Sequence, residues 1–246
     1  MKLTLLGTSH GVNAADRYTS CYMLEAKDNI YIFDGGAPVL DLLLRRGKDL
    51  TKVKAFFNTH LHGDHVYGIV PLLSLFNWYY KDTDIDAYFG EERAKNAVRD
   101  FIGAVDPTPL CERVRLHAYE SGVMFDDGVI KVTSIPTMHF HDGVRSSNAF
   151  LIESDGKSIL YTGDMSQFME YDDFPKVAYE RYIDIILSEC AHFAPEKLME
   201  CMKKVDTDLF IVTHIWPLDK IDKLESAADE FDFELLIAED DDEIEF

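Results

Sequence analysis

Apolar and polar positions along the chain follow two patterns, one typical of strands and one typical of helices. Short runs of β-branched and aromatic residues predict strands, whereas longer segments with apolar residues every three or four positions predict helices. The predicted strands are Leu3–Leu6, Tyr22–Glu25, Ile30–Phe33, Val53–Phe57, Val129–Ile135, Ala149–Glu153, Ser158–Tyr161, Ile183–Leu187 and Leu209–Val212. The predicted helices are Val39–Arg46, Val66–Tyr80, Glu91–Ile102, Pro195–Lys204 and Leu218–Phe231. Because these elements alternate without a Pro-, Gly- or Ser-rich linker, the pattern predicts one mixed α/β domain over residues 1–246.

Polar turn residues separate several neighbouring strands. The segments Lys27–Asn29, Asp126–Gly128 and Asp155–Lys157 carry the Asp, Asn and Gly residues typical of hairpin turns. The strands that they join are therefore expected to pair antiparallel. Ser147 and Asn148, just before a predicted strand, are interpreted as turn residues.

Composition narrows the functional classes. With 246 residues and 47% hydrophobic side chains, the chain can bury a sizeable core. Its 24 basic and 45 acidic side chains give a formal net charge of −21, which excludes an ordinary basic nucleic-acid-binding module. Nucleic acid is therefore not an expected partner. Part of the charge lies in residues 239–246, and these terminal acids, flanked by the apolar Leu235–Ile237 and Ile244, are interpreted as a hairpin turn between short strands.

The sequence predicts a cytoplasmic protein that does not enter the membrane. No apolar run approaches the roughly 20 residues of a membrane helix, and Leu3–Leu6 is too short for the core of a signal peptide. The four cysteines form no CxxC pair and show no regular spacing, which favours reduced thiols in a reducing compartment.

The segment Phe57–Gly68 places four potential metal ligands within six residues, between a predicted strand and a predicted helix. These are His60, His62, Asp64 and His65. Imidazole nitrogens and carboxylate oxygens suit Zn²⁺, Mn²⁺ or iron, so the spacing predicts a metal site. The alternative is a polar loop whose histidines are only solvated.

The HxHxDH pattern after a strand resembles the signature of the metallo-β-lactamase-fold hydrolases. Three further segments resemble that family's motifs and follow in the same order: Ile135–His139, Tyr161–Asp164 and Ile211–His214. The resemblance covers nearly the whole chain. It implies an αββα sandwich of two mixed β-sheets with outer helices, and a reaction of metal-assisted hydrolysis.

The resemblance also implies the ligands of two divalent metal ions, with Zn²⁺ expected and Mn²⁺ or iron as alternatives. By this resemblance His60, His62 and His139 hold the first ion, Asp64, His65 and His214 hold the second, and Asp164 bridges both. Two such ions lower the pKa of a bridging water, which then attacks as hydroxide.

Three residues outside this ligand set are candidates for supporting roles. Asp34 matches an Asp-Gly turn whose carboxylate orients a ligand histidine, although an ordinary Asx turn is the alternative. His192 and the ligand Asp64 are the candidate catalytic residues. His192 would act as a general acid, or would instead cap the helix near Pro195 or fill a surface pocket. His10 has a smaller claim.

Within the fold, the opening segment Leu6–Gly11 resembles the first motif of the ribonuclease Z and cyclic-phosphodiesterase branch, and Asp164 supplies the bridging carboxylate expected there. Two departures argue against tRNA processing. Only 25 positions separate His139 from Asp164, which leaves no room for the branch's tRNA-clamping arm. Ser188 stands where that branch has a histidine, before Glu189.

Three functions remain open at this point. The first is hydrolysis of a small phosphodiester, such as a cyclic nucleotide, by a dinuclear metal centre. The second keeps the metals and assigns a carboxylic ester, lactone or thioester, because both transition states place an oxyanion beside the ion. The third is a non-catalytic metal-containing sensor. The expected partner is a small anionic substrate, with a homodimer as a further possibility.

Overall fold

The computed structural model describes residues 1–12, 14–105, 109–140, 142–167 and 173–246, and their strands form two mixed sheets. The strands are β1 (Lys2–Gly7), β2 (Cys21–Ala26), β3 (Asn29–Phe33), β4 (Val53–Phe57), β5 (Ile85–Phe89), β6 (Val114–Ala118), β7 (Gly122–Asp126), β8 (Lys131–Thr137), β9 (Ser147–Ser154), β10 (Lys157–Tyr161), β11 (Ile183–Cys190), β12 (Thr207–Ile215), β13 (Glu234–Ile237) and β14 (Glu243–Glu245). The helices are α1 (Val39–Arg45), α2 (Gly63–Val66), α3 (Ile69–Trp78), α4 (Glu92–Val105), α5 (Val177–Glu180), α6 (Pro195–Met202) and α7 (Lys220–Ser226).

The first compact unit comprises residues 1–7, 13–120 and 240–246. Its seven strands are ordered β14-β1-β2-β3-β4-β5-β6, antiparallel from β14 to β3 and parallel from β3 to β6. Helices α1, α3 and α4 bury their apolar faces in the core of this unit, which includes Leu43, Leu73 and Ile102. The carboxyl end of β4 leads directly into the segment with the clustered histidines.

The second compact unit comprises residues 8–12 and 121–239. Its strands are ordered β13-β12-β11-β10-β9-β8-β7, antiparallel from β7 to β10 and parallel from β10 to β13. Helices α5, α6 and α7 pack against the core of this unit, which includes Phe174, Leu198, Phe210 and Leu224. Strands β10, β11 and β12 end near the remaining candidate site residues.

The predicted class of two mixed sheets flanked by helices is confirmed, and so are the three hairpins. In the first of these, Lys27 and Asp28 have φ values of 46° and 68°, the left-handed pair that a two-residue hairpin turn requires. The prediction of a single domain stays a prediction. Among the described residues, no helix is long and apolar enough to cross a membrane.

Several local predictions were wrong. The acidic terminus is not a hairpin, because β13 pairs with β12 in one sheet while β14 pairs with β1 in the other. Ser147 and Asn148 are buried residues of β9 rather than turn residues, because they pair with the end of β8. The helix predicted over Val66–Tyr80 is divided at Gly68 into α2 and α3.

Candidate functional site

In the first unit, the predicted ligand segment forms a tight cluster of imidazoles where β4 ends. The ring centroid of His60 lies 4.8 Å from that of His62 and 4.2 Å from that of His65. The short helix α2 begins at Gly63 and places Asp64 in its first turn, with the carboxylate 3.6 Å from His65 Nε2. His60 and His65 are buried, whereas His62 and Asp64 are half-buried. All four predicted ligands of this unit are therefore brought together.

The Asp34 side chain fixes the orientation of this cluster through its hydrogen bonds. Its fully buried carboxylate accepts hydrogen bonds from Asn58 Nδ2 (3.0 Å), the Thr59 main-chain N–H (2.8 Å) and the Thr59 hydroxyl (2.7 Å). It also lies 2.8 Å from His65 Nδ1. Because a carboxylate only accepts, His65 Nδ1 carries the hydrogen and Nε2 keeps the lone pair that a metal would use. This contact matches the supporting role predicted for Asp34.

Close main-chain packing holds the same segment in place. The Gly35 N–H donates to the His65 carbonyl at 2.7 Å, and a Cβ atom on Gly36 would lie 1.7 Å from the carbonyl oxygen of Asp64. A Cβ atom on Gly68 would lie 1.6 Å from the carbonyl oxygen of Ala37. Glycine is thus required where these loops meet.

In the second unit, Asp164 lies at the centre of three histidines. Its Oδ1 atom is 3.5 Å from His214 Nε2, and its Oδ2 atom is 3.8 Å from both His139 Nε2 and His192 Nε2. A metal ion that binds nitrogen and oxygen at about 2.0–2.2 Å holds neighbouring ligand atoms about 3.4 Å apart in tetrahedral geometry. The two oxygens of Asp164 therefore face different histidines at separations suited to shared metal ions.

Hydrogen bonds to the main chain orient His139 and the turn that carries Asp164. His139 Nδ1 donates to the Met165 carbonyl at 3.3 Å, so its Nε2 atom is available as a ligand. Asp173 accepts from the Met138 N–H (2.8 Å) and the Ser166 N–H (2.7 Å), which ties the two ligand segments together. Asp173 was not predicted from the sequence, because nothing in its local pattern distinguishes it from other acidic residues.

His192 is paired with a buried carboxylate. Its Nδ1 atom lies 2.8 Å and 2.9 Å from the two oxygens of Glu189, which is 1% exposed. Glu189 also accepts the main-chain N–H groups of Met165 (2.6 Å) and Ala191 (2.9 Å). The Nδ1 hydrogen of His192 therefore points to Glu189 and its Nε2 atom towards Asp164. His192 does not cap α6, whose N-cap residue is Ala194.

Two aromatic residues extend the group of histidines. The His10 ring is stacked on Trp216, with parallel planes 5.3 Å apart at their centroids, and lies edge-on to His214 at 5.3 Å. The main-chain N–H of Val12 donates to His10 Nδ1 at 3.0 Å. Trp216 is 41% exposed, so the pair offers an aromatic surface beside His214. Trp216 was not predicted as a site residue, although it lies only two positions after His214, the end of the last predicted motif.

Two residues of the site have positive φ angles, which are rare for residues other than glycine. Asp34 has a φ of 54° and His214 a φ of 51°. Such conformations cost about 1–2 kcal/mol per residue and are typical of functional positions. For His214 the conformation is held by its N–H, which donates to the Thr8 carbonyl at 2.9 Å.

The donor chemistry of each unit fits divalent metal ions. The first unit offers His60, His62, Asp64 and His65, and the second offers His139, Asp164 and His214, with Glu189 and His192 nearby. Imidazole and carboxylate donors without thiolate suit Zn²⁺, Mn²⁺ or Fe²⁺. Carboxylate or carbonyl partners fix the outer nitrogen of His65 and His139, as is usual for metal-binding histidines.

Comparison with solved structures identifies the fold. The chain matches the metallo-β-lactamase fold protein YhfI of Bacillus subtilis with a TM-score of 0.77 and 20% identity, over 99% of each chain. It matches the short form of human tRNase Z with a TM-score of 0.75 and 20% identity, over 100% of this chain and 99% of that one. Yeast PDE1 matches with a TM-score of 0.68 and 14% identity, over 97% of each chain. The predicted metallo-β-lactamase fold is thus confirmed.

Sequence relatives give the family. The ribonuclease Z of Listeria innocua is 31% identical over 163 residues, which cover 65% of this chain and 52% of that protein. The chain thus matches about half the length of this curated relative. The family described as Anti-Pycsar protein Apyc1 matches residues 1–209. The chain therefore belongs to the Anti-Pycsar protein Apyc1 family, has the metallo-β-lactamase fold and is similar in sequence to ribonuclease Z.

Proposed function

We propose that this metal-dependent hydrolase cleaves small phosphodiesters, cyclic nucleotides among them. The observation that carries the proposal is the arrangement around Asp164, whose two oxygens face different histidines while His192, backed by Glu189, faces the same carboxylate. This arrangement combines a carboxylate suited to bridge two ions with an imidazole suited to donate a proton.

The proposed cofactors are two divalent ions, with Zn²⁺ expected. We assign His60, His62 and His139 to one ion, Asp64, His65 and His214 to the other, and Asp164 to both, as the sequence resemblance implies. Bound there, the ions would activate water and neutralise charge that develops on the phosphoryl oxygens. Asp34 and the Met165 carbonyl keep His65 and His139 in the tautomers that bind metal.

His192 is the proposed general acid. With its Nδ1 hydrogen on Glu189, the imidazole holds a second proton at Nε2 and can deliver it to the leaving alkoxide. An alkoxide is a poor leaving group, so this proton matters more for an alkyl phosphodiester than for an ester with a good leaving group.

The His10–Trp216 pair suggests which substituent the phosphodiester carries. A flat, partly exposed aromatic surface beside His214 suits the stacking of a planar organic group such as a nucleobase. This favours a nucleotide-like substrate over a simple dialkyl phosphate.

The substrate is proposed to be small and anionic rather than a precursor tRNA. The chain carries a net charge of −21, and only 25 positions separate His139 from Asp164. Binding RNA needs Lys and Arg contacts to many phosphates, and basic residues are scarce relative to acidic ones in this chain. A cytoplasmic location and a homodimer stay predictions.

The alternative on the same metal centre is hydrolysis of a carboxylic ester, lactone or thioester, and the alternative of another class is a non-catalytic sensor. We expect the metal-loaded protein to hydrolyse cyclic nucleotides and bis-aryl phosphates, with activity lost on chelation and restored by added metal. Turnover of aryl acetates alone would favour the ester hydrolase. Tight metal binding with neither activity would favour the sensor, and efficient 3′-end cleavage of precursor tRNA would overturn the small-substrate assignment.

A further inference from the structure

Lys220, the first residue of α7, places its side-chain ammonium on the turn that carries His192. Its Nζ atom donates to the main-chain carbonyls of Cys190 (2.8 Å), Ala191 (2.9 Å) and Phe193 (2.7 Å). The three N–H groups of one ammonium are thus committed to three carbonyls of a single turn. Among the described residues, Lys220 makes no ion pair with a carboxylate.

This location is unfavourable for a lysine in two respects. Partial burial removes the ammonium from water, and desolvation lowers the pKa of Lys220. A cation at the start of a helix also opposes the helix dipole. A role in stabilising α7 or in keeping the chain soluble therefore does not explain why a lysine occupies position 220. What its position provides is the three contacts to the turn.

The turn is consequently held from two directions. From one side, the Glu189 carboxylate accepts the N–H groups of Ala191 (2.9 Å) and His192 (3.1 Å) and orients the His192 ring. Lys220 Nζ in turn donates to the carbonyls of residues 190, 191 and 193. The Glu189 carboxylate thus binds N–H groups of this turn and the Lys220 ammonium binds its carbonyls. The backbone that carries the His192 ring therefore has little freedom to rotate.

We propose that Lys220 is a positioning residue for His192, setting the direction in which His192 Nε2 faces the reacting phosphodiester. This inference deepens the proposed function and rests on it for its kinetic test. Lys220 itself does not touch the substrate.

The kinetic test compares Lys220→Met with Lys223→Met. Lys223 lies on the same helix, is half-exposed and pairs with Glu196 at the surface, so its variant removes the same charge without touching the turn. We expect Lys220→Met to lower kcat for an alkyl phosphodiester about 10- to 100-fold, since a small misplacement of a reacting group has effects of that size. For a bis-aryl phosphate the loss should stay below about threefold, because a good leaving group needs little protonation.

KM and bound metal should stay unchanged in Lys220→Met, and Lys223→Met should resemble the wild type. Lys220→Arg, which keeps the cation and its donors, should recover part of the lost kcat. In His192→Ala protein, adding Lys220→Met should cause no further loss. Equal losses for both phosphodiesters, loss of metal, or additive effects of the two substitutions would overturn the proposal.

A spectroscopic test does not depend on turnover. In protein labelled with ¹⁵N-histidine and held at a pH where the His192 imidazole is neutral, His192 of the wild type should carry its hydrogen on Nδ1, whereas Lys220→Met should show a mixture of tautomers and faster amide exchange at residues 190–193. If the wild type hydrolyses neither phosphodiester, the proposed function fails, and an unchanged His192 signal in Lys220→Met then refutes the positioning role separately.

Discussion

Asp34 and Asp164 are both buried carboxylates, yet their contacts give them different tasks. Asp34 is surrounded by hydrogen-bond donors from Asn58, Thr59 and His65, so its oxygens are already engaged and it orients a ligand. The Asp164 oxygens lie 3.5–3.8 Å from three histidine Nε2 atoms. Those distances are long for hydrogen bonds and suit a shared ion. The two substitutions should therefore have different consequences.

Replacing Asp164 by Ala should lower bound metal from about two ions to at most one per chain and reduce phosphodiesterase activity at least about 100-fold, because in the proposed centre this one carboxylate binds both ions. The fold should survive, since the Thr137 hydroxyl donates to the main-chain carbonyl of Asp164, which the variant keeps. Elemental analysis, activity and urea unfolding in chelator measure these effects, with the exposed Asp100→Ala as the control. A variant that still binds two ions would contradict the bridging role.

Replacing Asp34 by Asn should weaken metal binding about 10- to 100-fold, the usual effect of losing the partner of a ligand histidine. An amide has one acceptor oxygen, so its nitrogen would face either Asn58 Nδ2 and the Thr59 N–H, which are both donors, or the Thr59 hydroxyl together with His65 Nδ1. In the second case His65 must carry its hydrogen on Nε2 and cannot bind metal through that atom. Competition with a chelator measures the affinity. Asp49→Asn, at an exposed capping position, should leave it unchanged.

His192→Ala should slow phosphodiesters with poor alkoxide leaving groups by roughly 10²- to 10⁴-fold, the range expected for loss of a general acid. Esters with good aryloxide leaving groups should lose much less. His117→Ala is the matched control, because His117 pairs with Asp86 at the surface of the first unit. Equal losses for both substrate types would assign His192 a packing role instead.

At the scale of elements, the sequence predicts those strands whose side chains are mostly apolar. Strand β4, with the sequence VKAFF, has the bounds that were predicted, and β11 starts where it was predicted. Strand β7, with the sequence GVMFD, was missed because its three apolar residues are consecutive rather than alternating and none of its residues is buried. Strand β5 was missed because polar Asp86 interrupts a short run that follows an acidic segment.

The candidate site was predictable to the extent that its residues are adjacent in sequence or match an ordered motif. The HxHxDH segment and His139, Asp164 and His214 are of this kind. Lys220 was not predictable, because its partners are main-chain carbonyls that lie 27 to 30 positions earlier in the chain. The identity of a side chain does not indicate which distant main-chain carbonyls it binds.

The junction between α2 and α3 gives a prediction about stability. Gly68→Ala should destabilise the protein by about 1–3 kcal/mol, because its Cβ atom would lie 1.6 Å from the Ala37 carbonyl oxygen, so the backbone would have to move. The shift should also disturb the neighbouring residues of α2 and so weaken metal binding. Gly103→Ala is the control, since a Cβ atom there meets nothing within 4 Å. Gly103 lies in the last turn of α4, where the change to Ala should stabilise by at most about 0.5–1 kcal/mol. Urea unfolding in chelator compares the two.

At the scale of the whole molecule, the first and last strands show what local patterns leave open. Strand β1 pairs with β14 from the acidic terminus, while β13, only five residues before β14, belongs to the other sheet. The apolar pattern of Leu235–Ile237 predicts a strand there, but it does not predict which of the two sheets the strand joins. That choice depends on pairing with β12, which contributes a long buried edge.

The net charge leads to a prediction about ionic strength. A chain with a charge of −21 repels an anionic substrate at long range, and salt screens that repulsion because the Debye length falls to about 8 Å at 0.15 M. Raising NaCl from about 0.02 M to about 0.3 M should therefore increase kcat/KM for an anionic phosphodiester severalfold. The effect should appear in KM rather than kcat, because the buried ligands are screened much less. A neutral aryl acetate, if it is turned over, serves as the control and should change little. A fall of kcat/KM with salt would indicate that the substrate displaces counterions from a basic surface, as nucleic acids do, and would contradict the small-substrate assignment.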